Sequence, residues 1–498
     1  MEYPHEKEIL KFLKDKNLIV VSNRGPIEFQ QTHDNIKMKR GAGGLVSTLM
    51  PLMEALNGVW IASAMTPGDV EEATRFPGNK VPIPKHDPKF WVQFVLEEKK
   101  RYEEYYSVIS NPLLWFLQHY MWNSPYTPDI DDKIHQAWKN GYIHMNKKFA
   151  DHVVKECKRN EKEPMIMLQD YHLYLCPAFI RHKLEKTFLS HFIHIPWPQS
   201  DYFNILPYYM RESIIDSLLS NDILGFHIPR YVNNFLGTCE EFADKIDYEN
   251  KIVHLNNNKT HVKSYPISVD SEGIKKLAAS KEVLEKEEIV KNIKGDKFLY
   301  YRTDRADLSK NIIRGFKAFD IFLDKHPEYI GKVVFLTTGK PTRQQINEYK
   351  YYLNDIHSII KEINHKYGDN NWKPIECLFK ADYNLVVAAF KNYDCIIVNP
   401  ISDGMNIVPK EAAVVNKENG VLILSETAGC FDEIKDDSIP VNPYDISETA
   451  EAFYKAITMG ENERKKRLVN LNNIVASRNI YDWITDQFRD IKSIRNEM

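Results

Sequence analysis

Between Cys395 and Glu411 the chain spells a strand, a turn and the start of a helix. The apolar run Cys395-Ile396-Ile397-Val398 reads as a buried strand, closed by Asn399 and Pro400. Pro409 follows where a helix's first turn belongs, a place that has no use for its missing N–H. The unpaired amides of that turn lie beyond the strand's carboxyl end and favour an anion. Asp403 before the helix and Glu411 inside it add acceptors suited to sugar hydroxyls. The loop Asp403-Gly404-Met405-Asn406-Ile407-Val408, with Glu411, can offer amides to a diphosphate and carboxylates to a sugar and a ribose. It is a candidate nucleotide-sugar site.

The same alternation recurs in both halves. Strand-like runs stand at 17–22, 59–62, 165–169 and 189–194, then at 298–301, 333–337, 395–399 and 421–425, spaced by helical stretches. That order predicts an α/β chain with parallel sheets wound on both faces, whose ligands sit where strand order reverses. At 498 residues the chain is too long for one core. A junction is expected near Tyr265 to Asp270, where Pro266 interrupts the pattern. The expected architecture is GT-B: two doubly wound Rossmann-like domains, 1–266 and 267–480, facing across a cleft. A last helix, 481–498, is expected to return to the first domain. The stretch 463–491 reads as amphipathic and helical, with Leu468, Leu471, Ile474, Trp483, Ile484 and Phe488 on its apolar side.

Charge and composition exclude several classes. The 66 basic and 69 acidic residues leave a net charge of −3 with no basic block, which argues against nucleic acid. No run approaches a membrane span, and Met1 to Lys16 is charged and amphipathic without an apolar signal core. Six single cysteines without a Cys-x-x-Cys pair read as reduced residues, so a cytoplasmic location is expected. The sequence leaves a homo-oligomer open.

Beyond the opening loop, Arg305 and Lys310 follow the run at 298–301 and precede a helical stretch. A guanidinium and an ammonium there can hold a leaving diphosphate, whose charge grows in the transition state. Taken alone they read as a solvated helix start; the loop from the same half reverses that judgement. Arg24 ends the first strand, and the glycine cluster Gly41 to Leu45 follows, although turns explain most such clusters. Arg343, after the run at 333–337, is by itself an ordinary surface arginine; with Arg24 it could clamp a monoester phosphate. Asp170 and His194 close neighbouring strands, which suggests a shared polar site, whereas a lone strand-end histidine is usually structural. Tyr106 and Trp115 belong to an aromatic segment that should be mostly core, with one or two rings lining a sugar pocket. Asp129-Ile130-Asp131 reads as a helix cap with acidic first-turn residues rather than a metal triplet, and no metal is assigned.

These residues resemble those of the trehalose-6-phosphate synthases, retaining GT-B enzymes of glycosyltransferase family 20. The shared motifs are Val-Val-Ser-Asn-Arg (20–24), Gly-Gly-Leu (43–45), Asp-Tyr-His-Leu (170–173), His-Ile-Pro-x-Pro (194–198), Leu-Gly-Phe (224–226), Asp-Gly-Met-Asn (403–406), Leu-Ser-Glu (424–426) and Val-Asn-Pro-Tyr-Asp (441–445). The resemblance covers nearly the whole chain. It implies that Arg305 and Lys310 bind the donor diphosphate, helped by the amides of Ile407 and Val408 with Gly44 close by, and that Glu411 binds the ribose. It further implies that Asp403 and His194 hold hydroxyls of the transferred glucose. Arg24, Tyr106, Trp115, Arg343 and Asp170 occupy the positions that hold glucose 6-phosphate. On this reading residues 1–266 bind the acceptor and 267–480 the nucleotide sugar.

The function so implied is glucosyl transfer from a nucleotide-glucose, UDP-glucose first, to glucose 6-phosphate with retention. Arg305, Lys310, His194 and Asp170 are the catalytic group, and neither cofactor nor metal is expected. No phosphatase domain follows, so dephosphorylation is expected to fall to another protein. Departures from the family pattern are Ala306-Asp307-Leu308, Asn311 after Lys310, Gln169 for a His and Trp197 for a Phe. Lys-Asn and Ser-Glu-Thr (425–427) are similar to validoxylamine-phosphate synthases, whereas Met405 and Tyr106 favour the trehalose branch. Glucosylglycerol-phosphate synthesis and a non-catalytic sugar-phosphate sensor stay open as alternatives.

Overall fold

The computed structural model describes residues 6–31, 35–41 and 44–497. The head of the charged N-terminal stretch (1–5) and Ala42 and Gly43 of the glycine cluster lie outside the described residues. The chain divides into two compact units, Met1–Pro266 with Ile480–Met498, and Ile267–Asn479.

In the first unit the strands are β1 (Lys16–Val21), β2 (Ile27–Gln31), β3 (Ile36–Arg40), β4 (Val59–Ser63), β5 (Lys80–Ile83), β6 (Phe90–Val95), β7 (Glu163–Gln169), β8 (Leu189–Phe192), β9 (Ile223–Phe226), β10 (Lys245–Asp247), β11 (Ile252–Leu255) and β12 (Asn258–Ser264). One sheet runs β10-β11-β12-β9-β8-β7-β1-β4-β6-β5, and β2 with β3 forms a separate hairpin. From β12 to β6 every pairing is parallel; β5, β10 and β11 add antiparallel margins. Chain order reverses between β1 and β7, so the loops after these strands, at Arg24 and Asp170, occupy the switch point. β1, β4 and β7 are buried on both faces, which is why they read as unbroken apolar runs.

The second unit holds β13 (Phe298–Ala306), β14 (Val333–Pro341), β15 (Ile375–Phe379), β16 (Cys395–Val398), β17 (Val421–Ser425) and β18 (Ile439–Val441). All are parallel, in the order β15-β14-β13-β16-β17-β18. The switch point falls between β13 and β16, beside the two motifs singled out above. A core of Tyr300, Phe316, Phe319, Phe322, Phe335 and Phe453 packs beneath one face of this sheet.

Two expectations need correction. The helical stretch over 463–491 is two helices, Glu461–Ala476 and Ile480–Glu497, with the break on the unit boundary. Asn479 there forms a β-bridge with Val269, which takes its backbone out of the helical pattern. Leu468 and Leu471 are buried in the second unit, and Trp483, Ile484 and Phe488 in the first. Arg305 does not follow its strand but lies within it, because β13 extends five residues beyond the apolar run and ends at Ala306. Pairing with β14 continues through Arg305↔Lys340 and Ala306↔Pro341 and carries the polar residues along. Among the described residues no helix is long and apolar enough to cross a membrane.

Candidate active site

The carboxyl ends of β13 and β16 bring Arg305, Lys310, Asp403, Val408 and Glu411 into one neighbourhood. A cavity of about 290 Å³ opens there, lined by Arg305, Lys310, Val408 and Glu411 with Thr303, Asp304, Gly339, Lys340, Ala381, Tyr383, Val386 and Phe390. One end is cationic and the other apolar and aromatic, as a nucleoside diphosphate requires.

A buried ion-pair network fixes the cationic end. Lys310 Nζ pairs with the Asp403 carboxylate, and both side chains are largely covered. Asp403 also accepts from the Gly404 amide at 3.0 Å and from Asn406 Nδ2 at 2.9 Å. Below them lies Arg302, fully buried, whose Nη2 donates to Asp304 Oδ2 and to the Lys310 carbonyl, each at 2.9 Å. An added Cβ on Gly315 would come within 2.6 Å of Arg302 Nη1, so the bare glycine leaves the guanidinium its room. Burial raises the Asp304 carboxyl above its ordinary range, while Arg302 and Lys310 oppose the shift. Arg305 is 46% exposed, with Nη2 3.9 Å from Asp307. Its guanidinium is the accessible cation of the group.

Asn311 takes the left-handed conformation, φ 58°, ψ 35°. Glycine adopts that region freely and asparagine tolerates it, so Asn311 keeps the backbone that a glycine would supply. Its side chain adds a bond from Nδ2 to the Pro443 carbonyl at 2.6 Å and accepts from Arg314 at 2.9 Å.

In the loop after β16, Asn406 has φ 61° and its Oδ1 accepts from the Val408 amide at 3.3 Å. The helix Val408–Val415 begins with Pro409 in its first turn. Gly404 and Met405 lie against Gly429, where a Cβ would meet the Gly404 carbonyl at 2.0 Å. Glu411 accepts from the Tyr383 hydroxyl at 2.9 Å. Burial pushes its carboxyl up to about 7, a shift that the tyrosine hydroxyl opposes.

Arg343 also belongs to the second unit. Its φ is 47°, and Nη1 bonds Asp307 at 2.9 Å and the Tyr349 hydroxyl at 2.5 Å. Asp307, fully buried, accepts from Ser309 as well. Arg343 is thus seated beside Arg305 through a shared carboxylate.

The first unit assembles the other candidates around its own switch point. Asp170 has φ 71°, ψ 172°, a conformation that a non-glycine residue seldom holds and that tends to mark functional sites. Its Oδ1 accepts from the His194 amide at 3.2 Å, tying the ends of β7 and β8 together. His194 Nε2 lies 2.9 Å from the Gln169 side-chain amide. Burial, followed by His227 and His191, lowers the His194 pKa well below the usual value, so the ring is neutral. Tyr106 lies within an irregular, π-helical segment, Glu104–Leu114, broken at Asn111, and Trp115 follows directly after it. Asn111 Oδ1 accepts from the Tyr171 hydroxyl at 2.6 Å, and Tyr106 stacks on His172 at 5.8 Å. Trp115 lies 5.6 Å from Tyr171. The Asp170-Tyr171-His172 turn is thereby packed onto this aromatic segment. Arg24 is exposed; next to it Asn23 bonds Tyr102, which stacks on Tyr106. Gly44 opens the helix Gly44–Leu56. Asp131 caps the helix Asp132–Ala137 by accepting from the Ile134 amide at 3.0 Å.

Sequence reasoning missed Arg302, Tyr383, Phe390 and Gly339. Arg302 had a signal, since a charge inside an otherwise apolar strand needs a buried partner. The other three carry no local signature.

Comparison with known proteins agrees with this geometry. The model of glycosyltransferase family 20 matches residues 16–493. An Aspergillus niger protein named alpha,alpha-trehalose-phosphate synthase [UDP-forming] 1 is 30% identical over 93% of this chain and 87% of its own. A Pichia angusta protein named alpha,alpha-trehalose-phosphate synthase [UDP-forming] is 30% identical over 90% and 93%. Among solved structures, an Escherichia coli trehalose-6-phosphate protein bound with UDP-2-fluoro glucose superposes with a TM-score of 0.82, at 26% identity over 96% and 99% of the two chains. The Burkholderia xenovorans synthase in complex with glucose-6-phosphate gives 0.81 at 25% identity over 96% and 100%. The α/β fold of two Rossmann-like units is theirs, the GT-B class. With the family match running almost from end to end, this chain belongs to glycosyltransferase family 20 and is a glycosyltransferase.

Proposed function

We propose that the chain moves glucose from UDP-glucose to glucose 6-phosphate with retention, forming trehalose 6-phosphate. The observation that carries this is the Arg305–Lys310–Glu411 cavity, which has cations for a diphosphate and a carboxylate for a ribose in one lining. The names of the relatives and the ligands of the two solved complexes support the choice of substrates. As the glycosidic bond breaks, negative charge gathers on the departing diphosphate, and Arg305 and Lys310 are placed to absorb it. The departing oxygen takes the proton of the attacking hydroxyl on the same face while the sugar passes through an oxocarbenium-like state. Asn311 preserves the backbone after Lys310, so its presence gives no reason to choose a different acceptor.

The test is release of nucleoside diphosphate by purified protein with UDP-, ADP- and GDP-glucose. Glucose 6-phosphate, glycerol 3-phosphate and cyclitol phosphates are compared as acceptors. UDP-glucose with glucose 6-phosphate should give the highest kcat/KM; release without any acceptor preference counts against the proposal. Arg24→Ala should raise the KM for glucose 6-phosphate with little change in the KM for UDP-glucose. If glucose and glucose 6-phosphate compete in that variant as in the parent, Arg24 does not hold the phosphate.

Glu411 sets a pH dependence. Ribose hydroxyls donate to an ionised carboxylate, so donor binding favours the deprotonated form. The KM for UDP-glucose should therefore fall as pH rises through about 7 and level off above it. In Glu411→Gln that dependence should vanish and the KM stay high. The folded chain holds this proton more tightly than the unfolded chain. Its contribution to stability is therefore full below 4.5 and is lost as pH climbs through about 7.

A further inference from the structure

The amino ends of the first unit's strands, opposite Arg24 and Asp170, enclose a second cavity of about 220 Å³. Lys16 and Asn17 open β1, Val59 opens β4, Lys80 opens β5, and Trp91 is the second residue of β6. Glu156, near the end of the helix His144–Arg159, completes the polar part of the wall with Asn57, Asn160 and, before β7, Lys162.

The wall carries more positive charge than it neutralises. Lys16, Lys80 and Lys162 line it, and Glu156 is its one carboxylate. Lys80 Nζ is committed to Glu156, at 2.9 and 3.0 Å to its two oxygens, and covers the Trp91 ring at 5.3 Å. Lys16 pairs with Glu163, but Arg495 claims the same carboxylate, so two cations share one anion. Lys162 Nζ donates to the Lys14 carbonyl at 3.3 Å, a neutral acceptor, and forms no ion pair among the described residues.

A second, independent sign is Asn17. Its side chain is 4% exposed, and among the described residues its Nδ2 has no hydrogen-bond partner. A buried amide donor without an acceptor is costly and rare in native proteins. An unsatisfied donor in the cavity wall and surplus cations beside it are both answered by an oxyanion with several acceptor oxygens. A sugar ring has less claim, because Lys80 occupies the face of the indole.

We propose that this cavity binds a small phosphate-class oxyanion, held by Asn17 Nδ2 and the ammonium groups of Lys16 and Lys162. It stands at the amino end of β1, about 20 Å from the Arg24 end for a six-residue strand.

The experiment is calorimetric titration of full-length protein with inorganic phosphate. An Arg24→Ala/Arg305→Ala background weakens phosphate capture at the two substrate sites. One saturable binding event should survive in that background. It should weaken by about tenfold or more on adding Lys162→Glu, the loss expected for one charge-assisted contact. Asn17→Asp, nearly isosteric but an acceptor in place of the donor, should abolish it. Lys162 is exposed, so its variant tests the site even if the buried Asn17 variant fails to fold. Titrating glucose 6-phosphate against bound phosphate in the same background separates the sources: displacement assigns the site to a phosphorylated sugar, and no displacement to the free ion. Absence of saturable binding in the background protein, or a phosphate isotherm indifferent to Lys162→Glu, overturns the proposal.

Discussion

Arg305→Ala lowers kcat for nucleoside diphosphate release by about a hundred- to thousand-fold, equivalent to about 2.7–4 kcal/mol of transition-state stabilisation. The magnitude follows from where the charge is. Lys310 is already paired with Asp403 and Arg302 is sealed beneath the floor, which leaves Arg305, with Lys340 beside it on β14, to meet charge as it develops. The fold should not notice the loss. Asp307 keeps Arg343 at 2.9 Å and its bonds from Ser309 when Arg305 is removed. The denaturation midpoint should therefore stay where it was, and the KM for glucose 6-phosphate should change far less than kcat. Near-parent turnover in this variant would remove Arg305 from the reaction, and a collapse of the fold would make its role structural.

What could be read from the chain alone divides along physical lines. β1, β7, β16 and the start of β13, residues 298–301, announced themselves because strand segments buried on both faces must be apolar. β15, with Glu376 inside it, β18, three residues long, and β12, with Asn258, Lys259 and His261, lie toward the margins of their sheets, where that demand relaxes. They left no pattern to find. The loop 403–408 and Glu411 were legible because helix-start chemistry is local: Pro409, a short polar turn and an acidic first turn all lie within a few residues. Arg343 was not, since a lone arginine after a strand says nothing of the Asp307 carboxylate it reaches across 36 positions. Tyr383 opens its helix after a capping Asp382, a local signal for a helix start but none for a hydroxyl aimed at Glu411. Even Asn311, a departure when read as a letter, is continuity once its left-handed backbone is seen.

Arg302→Met should cost about 3–5 kcal/mol of stability, the usual penalty for breaking a buried ion pair from one side. Methionine fills much of the volume, so the loss would come from the charge left behind. Asp304 would sit buried without its 2.9 Å partner, its carboxyl driven further up by the burial that already raises it. Chemical denaturation measures this directly. Adding Asp304→Asn to Arg302→Met should restore most of the stability, because a pair replaced on both sides leaves no bare charge. Turnover should not return with it. Arg302 also holds the Lys310 carbonyl at 2.9 Å, and neither methionine nor asparagine supplies that donor. With Asp304→Asn alone as the reference, stability regained without kcat makes Arg302 the positioning residue for Lys310. Regaining both would reduce it to a counter-ion, and a loss below about 1 kcal/mol in the single variant would mean that water already satisfies Asp304.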